Sequence, residues 1–530
     1  MLEEAVDDIM VRAYADDTAL VVQDYVSAIP RLEQLFAEFE QFSGLKINVA
    51  KSVLVPLNDK GIQANKEAIA VLGGPWSEMK MSYVAKYLGF MMGPGKAESS
   101  WEKPCNKFKE RLYMWKDTPT NIHWQTKIYN VFALSTLSYI WQLEEPPSTV
   151  LNATCRGIFQ MARGPGNYAS IEDMWSLKEA YGLPVSFQNA AWCARAAQMR
   201  VLHTDTGFPS PRITRQENYE LEKLWVESVL NGGSFLKDWF GRCFLKRLCD
   251  NEANMEEEYG TLKEVRAKRK SENAEPSEDD NWPAVLQRTY YEIQLGKALP
   301  DAVARIRYKL KRLELDDDRQ NGEGVGSAWQ RTPAGMADRS HKNLMALSGI
   351  ATPRVQAAVW GWIWNKWATD RRTKQNRSSR CILSGREGTE DSGEHYCVCP
   401  LVAAVMRKRN LDPAKFMGRR AWGLASVTIR TEDELNTLGT VIYATNIISC
   451  RYRHNGRTNQ TDDEEVIQAL LQSTKEAVKG HNKSISIQQH RWMAEHAEAD
   501  LIYQTGSNKR VMRLARLAHS TEAQRKRLRK

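Results

Sequence analysis

From Ile9 to Val22 the chain reads as an apolar run, a short acidic break and a second apolar run, with Asp16 and Asp17 adjacent in the break. Two β-prone runs separated by so short a polar step predict a hairpin with both carboxylates near its apex. Such an apex is held rigid by its strands and open to solvent, which suits side chains that bind something. Asp24 then predicts a helix N-cap. Val26, Ile29, Leu32, Leu35, Phe36, Phe39 and Phe42 recur at helical spacing up to Gly44, which sits where a C-terminal cap belongs. Ser52 to Leu57 and Tyr83 to Met91 read as strands, so residues 1–100 are expected to form an α+β domain.

From Trp101 the pattern turns helical, with apolar residues three and four apart in Phe108 to Trp115, Thr126 to Trp141 and Ala190 to Leu202. A helical region is expected over 101–250. A charged linker follows over 251–283, where Glu, Lys, Ser and Asp crowd together. Residues 284–337 read as a short basic helical segment and a polar linker. Residues 338–506 read as a helical C-terminal domain that includes an aromatic-rich helix, Trp360 to Trp367, and a capped amphipathic one, Asp463 to Val478. A basic tail closes the chain at 507–530.

The totals agree with folded domains: 42% hydrophobic residues and 17 tryptophans are far from a disordered composition. No apolar run reaches the roughly 20 residues that a bilayer span needs, so no membrane segment is expected. The acidic start Met1-Leu2-Glu3-Glu4 is unlike a signal peptide, and nine scattered cysteines read as reduced intracellular thiols. The formal charge of +9 is concentrated in the tail, where Lys509, Arg510, Arg513, Arg516, Arg525, Lys526, Arg527, Arg529 and Lys530 face only Glu522. Such a tail binds phosphates non-specifically or serves as a nuclear-localisation signal. An intracellular, nuclear location is expected.

Three segments in order carry a likeness. In the turn Tyr14-Ala15-Asp16-Asp17, in Phe42-Ser43-Gly44-Leu45-Lys46-Ile47-Asn48-Val49-Ala50-Lys51-Ser52, and in Tyr87-Leu88-Gly89-Phe90, the sequence resembles the reverse transcriptases of non-LTR retrotransposons. The resemblance implies an α+β polymerase palm, entered partway, followed by mostly helical thumb and C-terminal regions. It implies template-primed nucleotidyl transfer with two Mg2+ ions on an RNA template and a DNA primer. Asp16 would be the metal ligand and Asp17 its neighbour, with Tyr14 near the incoming nucleotide. Lys46 and Lys51 would lie near the active site, and Tyr87, Leu88 and Gly89 in the turn that grips the primer terminus. Magnesium prefers hard oxygen donors, which a carboxylate pair on a rigid turn supplies. Read without the family, an acidic turn is usually solvated, Lys46 and Lys51 suit a helix end, and Tyr87 to Phe90 suit a plain β-turn. Arg111-Leu112-Tyr113-Met114-Trp115-Lys116 and Lys127 to Pro147 resemble thumb helices more loosely.

Further on, Trp364-Asn365-Lys366-Trp367-Ala368-Thr369-Asp370-Arg371-Arg372 leads into Cys381 and then Glu394-His395-Tyr396-Cys397-Val398-Cys399-Pro400. This segment resembles the Cys/His motif that follows the polymerase in many such elements, which implies Zn2+ held by two Cys, a His and a further Cys. The sequence departs from that pattern at Ser384, where the second cysteine belongs, and serine is a poor zinc ligand. Cys397 is the substitute, although its spacing from Cys399 strains a shared tetrahedron. The expected set is Cys381, His395, Cys397 and Cys399, with a metal-free helical remnant as the other reading.

In that family a further palm aspartate and the fingers domain precede these motifs, yet only eight residues precede Ile9. The expectation is a truncated polymerase that is inactive alone and needs the missing upstream half as a partner. A non-catalytic RNA- or DNA-binding remnant is the alternative, and an unselected fragment that folds poorly is the third. No spaced set of carboxylates and a lysine marks a downstream endonuclease, for which Arg453-His454-Asn455 is too short.

Overall fold

A computed structural model describes residues 9–14, 17–57, 61–116, 120–202, 282–311, 332–373, 380–455 and 462–477. Asp16, most of the 251–283 linker and the basic tail 507–530 lie outside the described residues. Helices hold 64% of the residues described, and the sheets are small, so the chain is mostly helical with minor β structure. It divides into two units, one of residues 1–163, 169–180 and 185–300, the other of 164–168, 181–184 and 301–530. Among the described residues no helix is long and apolar enough to cross a membrane.

The first unit opens with the expected hairpin. Strands β1 (Met10–Tyr14) and β2 (Asp17–Val21) pair antiparallel, with Tyr14 opposite Asp17. Helix α1 (Tyr25–Ser43) starts where Asp24 accepts a hydrogen bond from the Val26 N–H at 3.0 Å. It stops at Gly44, whose φ of 69° is left-handed backbone that a residue with a Cβ rarely adopts. Ala28, Ile29 and Leu32 of α1 form a small core with Ile69, Trp76 and Met81, on which Ile9, Leu20 and Val22 pack. That contact decides which face of the hairpin is covered.

The rest of this region departs from the sequence expectation. Helix α2 (Gly61–Leu72) lies where no element was read. Ser52 to Leu57 reduces to a two-residue strand β3 (Val53–Leu54), paired in parallel with β4 (Lys80–Met81). The single strand read over Tyr83 to Met91 is instead a second hairpin, β5 (Ala85–Tyr87) and β6 (Phe90–Met92). Its two-residue loop has φ of 47° at Leu88 and 89° at Gly89, as a type I′ turn requires. The described sheets have two strands each.

Helix α3 (Ser99–Trp115) and helix α4 (Ile122–Ile128) begin the helical part. The continuous helix expected over Thr126 to Trp141 breaks into a π turn at Tyr129–Ala133 and 3-10 turns at Leu134–Leu137 and Ile140–Gln142. The cause lies in its hydroxyls: Ser135 donates to Val131 O at 2.6 Å, Thr136 to Ala133 O at 2.8 Å and Ser138 to Ser135 O at 2.8 Å. Such bonds compete with the helical ladder and loosen it. Helix α5 (Ser148–Ala162) approaches α3 closely at Gly157, where a Cβ would meet Leu112 Cδ1 at 2.6 Å. Phe108, Tyr129 and Phe187 form an edge-to-face core there, with ring centroids 6.0 and 5.3 Å apart. Helix α6 (Ala190–Leu202) packs on α7 (Trp282–Lys297), burying Ala196 and Tyr290.

The second unit holds α8 (Ala302–Leu310), α9 (Pro333–Ile350), α10 (Pro353–Ile363), α11 (Pro400–Lys408) and the long α12 (Glu432–Asn455). The boundary between units therefore falls inside the segment expected over 284–337. The aromatic helix expected over Trp360 to Trp367 ends at Ile363; Asn365 has a φ of 54°, which turns the chain back. Trp360 stacks on Trp364 at 5.0 Å, and Trp422 lies 5.8 Å from Trp362 and 6.5 Å from Trp367. The helix at 463–477 agrees with the periodicity of its sequence.

Candidate functional site

In the first unit the two hairpins meet. Tyr87 in β5 donates its hydroxyl to the carbonyl of Arg12 in β1 at 3.1 Å, joining segments 75 residues apart. Tyr139 braces the other side of the second hairpin: its hydroxyl donates to Leu88 O and its ring lies 5.0 Å from that of Phe90. A Cβ on Gly89 would meet the Tyr139 ring at 2.8 Å, so both space and backbone demand glycine there. Tyr14 is 69% exposed, and Asp17 and Arg12 are exposed beside it. The face left open thus carries a tyrosine, a carboxylate and a guanidinium on a braced scaffold.

Of the other residues read from sequence, Lys46 follows the C-terminus of α1 and pairs with Glu40 at 3.5 Å in solvent. Lys51 sits in a turn closed by its own N–H to Asn48 O at 3.0 Å. Among the described residues Asp17 belongs to no cluster of three metal-ligating side chains. Tyr139 went unread, because nothing in a run of mixed apolar and hydroxyl residues marks one tyrosine as a brace.

On the first unit's helices, Tyr113, Met114, Trp124 and Phe132 are exposed. Lys116 sits 4.0 Å from the Tyr113 ring centre and Lys127 5.2 Å from that of Trp124, while Trp115 stacks on Phe132 at 5.8 Å. Aromatic faces interleaved with cations offer stacking and phosphate contacts together.

The second unit brings Cys381, His395 and Cys399 together, with their ligand atoms all within 4.8 Å of one another. Cys381 lies between Arg380, bridged to Glu387, and a turn closed by the Gly385 N–H donating to Cys381 O at 2.8 Å. His395 sits on a short helical turn capped by Ser392, which accepts from the His395 N–H at 3.1 Å. Cys399 precedes the first turn of α11. The Cys381 thiol is pushed down chiefly because the Cys399 S–H donates to its thiolate, with help from His395 and Ser384 and against burial. The Cys399 thiol is pushed up by that same bond and by burial, against the N–H groups of Leu401 and Val402. A cation held by both sulfurs would replace this S–H to sulfur contact. Two thiols and an imidazole form a soft donor set suited to a zinc-class cation. The buried Nε2 of His395 makes no hydrogen bond of ordinary geometry, leaving it available to such an ion.

Cys397, expected as the fourth ligand, stands outside this group. Its Sγ instead contacts Glu394 O at 3.0 Å, and its carbonyl accepts from the Gly418 N–H at 2.8 Å. Residues two apart in this turn face different ways, so Cys397 and Cys399 do not converge.

The loop is held from behind. Trp362 Nε1 donates to Gly393 O at 3.1 Å, and Asp391, 1% exposed, receives Arg453 of α12 at 2.8 Å. Tyr396 donates its hydroxyl to Asp391 and accepts from Arg453 at 3.0 Å. Arg453 is therefore a structural clamp on the Cys/His loop, a role with no signal in Arg453-His454-Asn455. Comparison of the chain with protein-family models, with curated proteins and with solved structures found no match.

Proposed function

We propose that the chain is the palm-and-thumb portion of a non-LTR-type reverse transcriptase, acting on an RNA template and a DNA primer by nucleotidyl transfer with two Mg2+ ions. The observation that carries this reading is the Tyr87–Arg12 hydrogen bond. It draws the hairpin of the acidic pair against the hairpin of Tyr87-Leu88-Gly89-Phe90, and a polymerase needs that proximity to present a primer 3′ hydroxyl to metal. Asp16 and Asp17 would face that hydroxyl, with Tyr14 beside the incoming nucleotide.

Two-metal transfer takes more carboxylates than this pair offers. Among the described residues no third metal-ligating side chain joins Asp17 in a cluster. The second unit adds a zinc-class Cys/His centre that fixes the loop of residues 381–399. Work on a genomic primer implies a nuclear location, in keeping with the basic tail at 507–530.

A second reading, binding of RNA or DNA without chemistry, is favoured by the exposed rings of Tyr113 and Trp124, each with a lysine, Lys116 or Lys127, over it. Equilibrium binding separates the two. The polymerase reading expects the full chain to hold a primed RNA template more tightly than single-stranded RNA or blunt duplex of equal length. Equal affinity for all three would favour plain binding and overturn the polymerase reading.

A further inference from the structure

The fourth corner of the Cys/His centre is where this chain leaves a closed four-ligand knuckle. Structural zinc takes four donors, whereas a site with three protein ligands keeps one position open to water or an added ligand. Three donors converge here, and Cys397 is turned away. What faces the centre instead is Ser384, three residues after Cys381. Its hydroxyl is buried and makes no hydrogen bond of ordinary geometry, yet it lies close enough to the Cys381 sulfur to favour the thiolate. The turn that delivers it is fixed by the Gly385 N–H to Cys381 O bond and by the left-handed Gly385, at φ 65°. Cys381 N–H donates in addition to Thr389 Oγ1 at 3.2 Å. Two buried polar atoms that make no hydrogen bond of ordinary geometry, Ser384 Oγ and His395 Nε2, thus flank one pair of thiols. Buried polar groups are rarely left so unless an ion or water completes them.

We infer that the centre binds a zinc-class cation through Cys381 Sγ, His395 Nε2 and Cys399 Sγ, and that Ser384 hydrogen-bonds an exchangeable fourth ligand. This rests on the metal-centre reading above and specifies which residues form it. On binding, the two S–H groups become thiolates and release two protons to solvent, while the imidazole stays neutral and gives its Nε2 lone pair. The serine hydroxyl keeps its proton and is a hard, weak donor to such a cation. Its place is to hold a bound water, which a small soft ligand such as imidazole can replace.

The test uses the full chain, stripped of metal, reduced with a phosphine and titrated with Co2+, whose charge-transfer bands count thiolates and whose d–d bands report the fourth ligand. The wild type is expected to show a two-thiolate, four-coordinate spectrum that shifts when imidazole is added. Ser384→Cys is expected to raise the charge-transfer intensity by about half, tighten Zn2+ in competition by about tenfold or more, and abolish the imidazole shift. Ser384→Ala is expected to keep both thiolate bands, and Cys397→Ser to leave the spectrum unchanged. Loss of charge-transfer intensity in Cys397→Ser, with Ser384→Cys silent, would overturn the inference while leaving a metal centre standing. A wild type with unchanged circular dichroism and no thiolate bands would remove both.

Discussion

The Tyr87 hydroxyl lies 3.1 Å from the carbonyl oxygen of Arg12, and this bond ties the second hairpin to the first. A neutral hydrogen bond contributes about 0.5–1.5 kcal/mol net, and less when solvent can replace it. Tyr87→Phe is therefore expected to cost under about 1 kcal/mol in global stability. Its larger effect is expected in hydrogen exchange, as faster exchange of the β1 and β2 amides with little change in α1. Unchanged protection there would mean the bond does not couple the hairpins.

Gly89 combines a φ of 89° with a Cβ position 2.8 Å from the Tyr139 ring. Gly89→Ala meets both backbone strain and a steric clash, and is expected to cost about 1–3 kcal/mol in urea unfolding. In a Tyr139→Leu background, which lacks the ring that clashes, the same Gly89→Ala change should cost less and leave the backbone part. No cost at all for Gly89→Ala in that background would show that φ carries none.

These two hairpins also show what the sequence discloses. The first was legible because Asp16-Asp17 interrupts two β-prone runs, and α1 was legible from Asp24 and Gly44 at the ends of a regular apolar stripe. The second was not, since Leu88 in left-handed backbone gives no local signal and the Tyr139 brace that demands Gly89 comes from 50 residues away. The helix expected over Thr126 to Trp141 failed for a local reason that can be read in hindsight, three hydroxyls able to bond back to the main chain. At the Cys/His loop, residue types were legible and directions were not. Spacing put Cys397 in the expected set, and the turn geometry that directs its sulfur to Glu394 O instead involves Gly418 and Trp362. Arg453 was invisible because its partner Asp391 is 62 residues distant.

That clamp carries its own expectation. Removing one member of a buried ion pair leaves an uncompensated charge and costs about 3–5 kcal/mol. Arg453→Met is expected to approach that cost, since Asp391 keeps the charge in a fully buried position. Pairing it with Asp391→Asn is expected to restore part of the stability. A double variant no more stable than the single one would refute the clamp.

His123 gives a pH dependence. Burial, aided by the charge of Lys127, lowers its pKa from 6.5 to about 4, and its Nδ1 has no partner. The folded chain resists protonation that the unfolded chain accepts, so the neutral ring's contribution is complete above pH 6.5. It is lost progressively as pH falls from 6.5 towards about 4. His123→Gln is expected to flatten the stability profile in that window relative to wild type. Parallel profiles for the two proteins would show that His123 does not set it.

The measurement that decides the account is photo-cross-linking from the 3′-terminal nucleotide of a DNA primer annealed to RNA, with Mg2+ present and the adducts located by peptide mapping. The account expects the terminus to attach within residues 10–21 and 85–92, and Tyr87→Phe to weaken that attachment while the aromatic face around Trp124 still binds the duplex. A primer terminus that attaches only around Trp124, or is spread evenly over the chain, would contradict it.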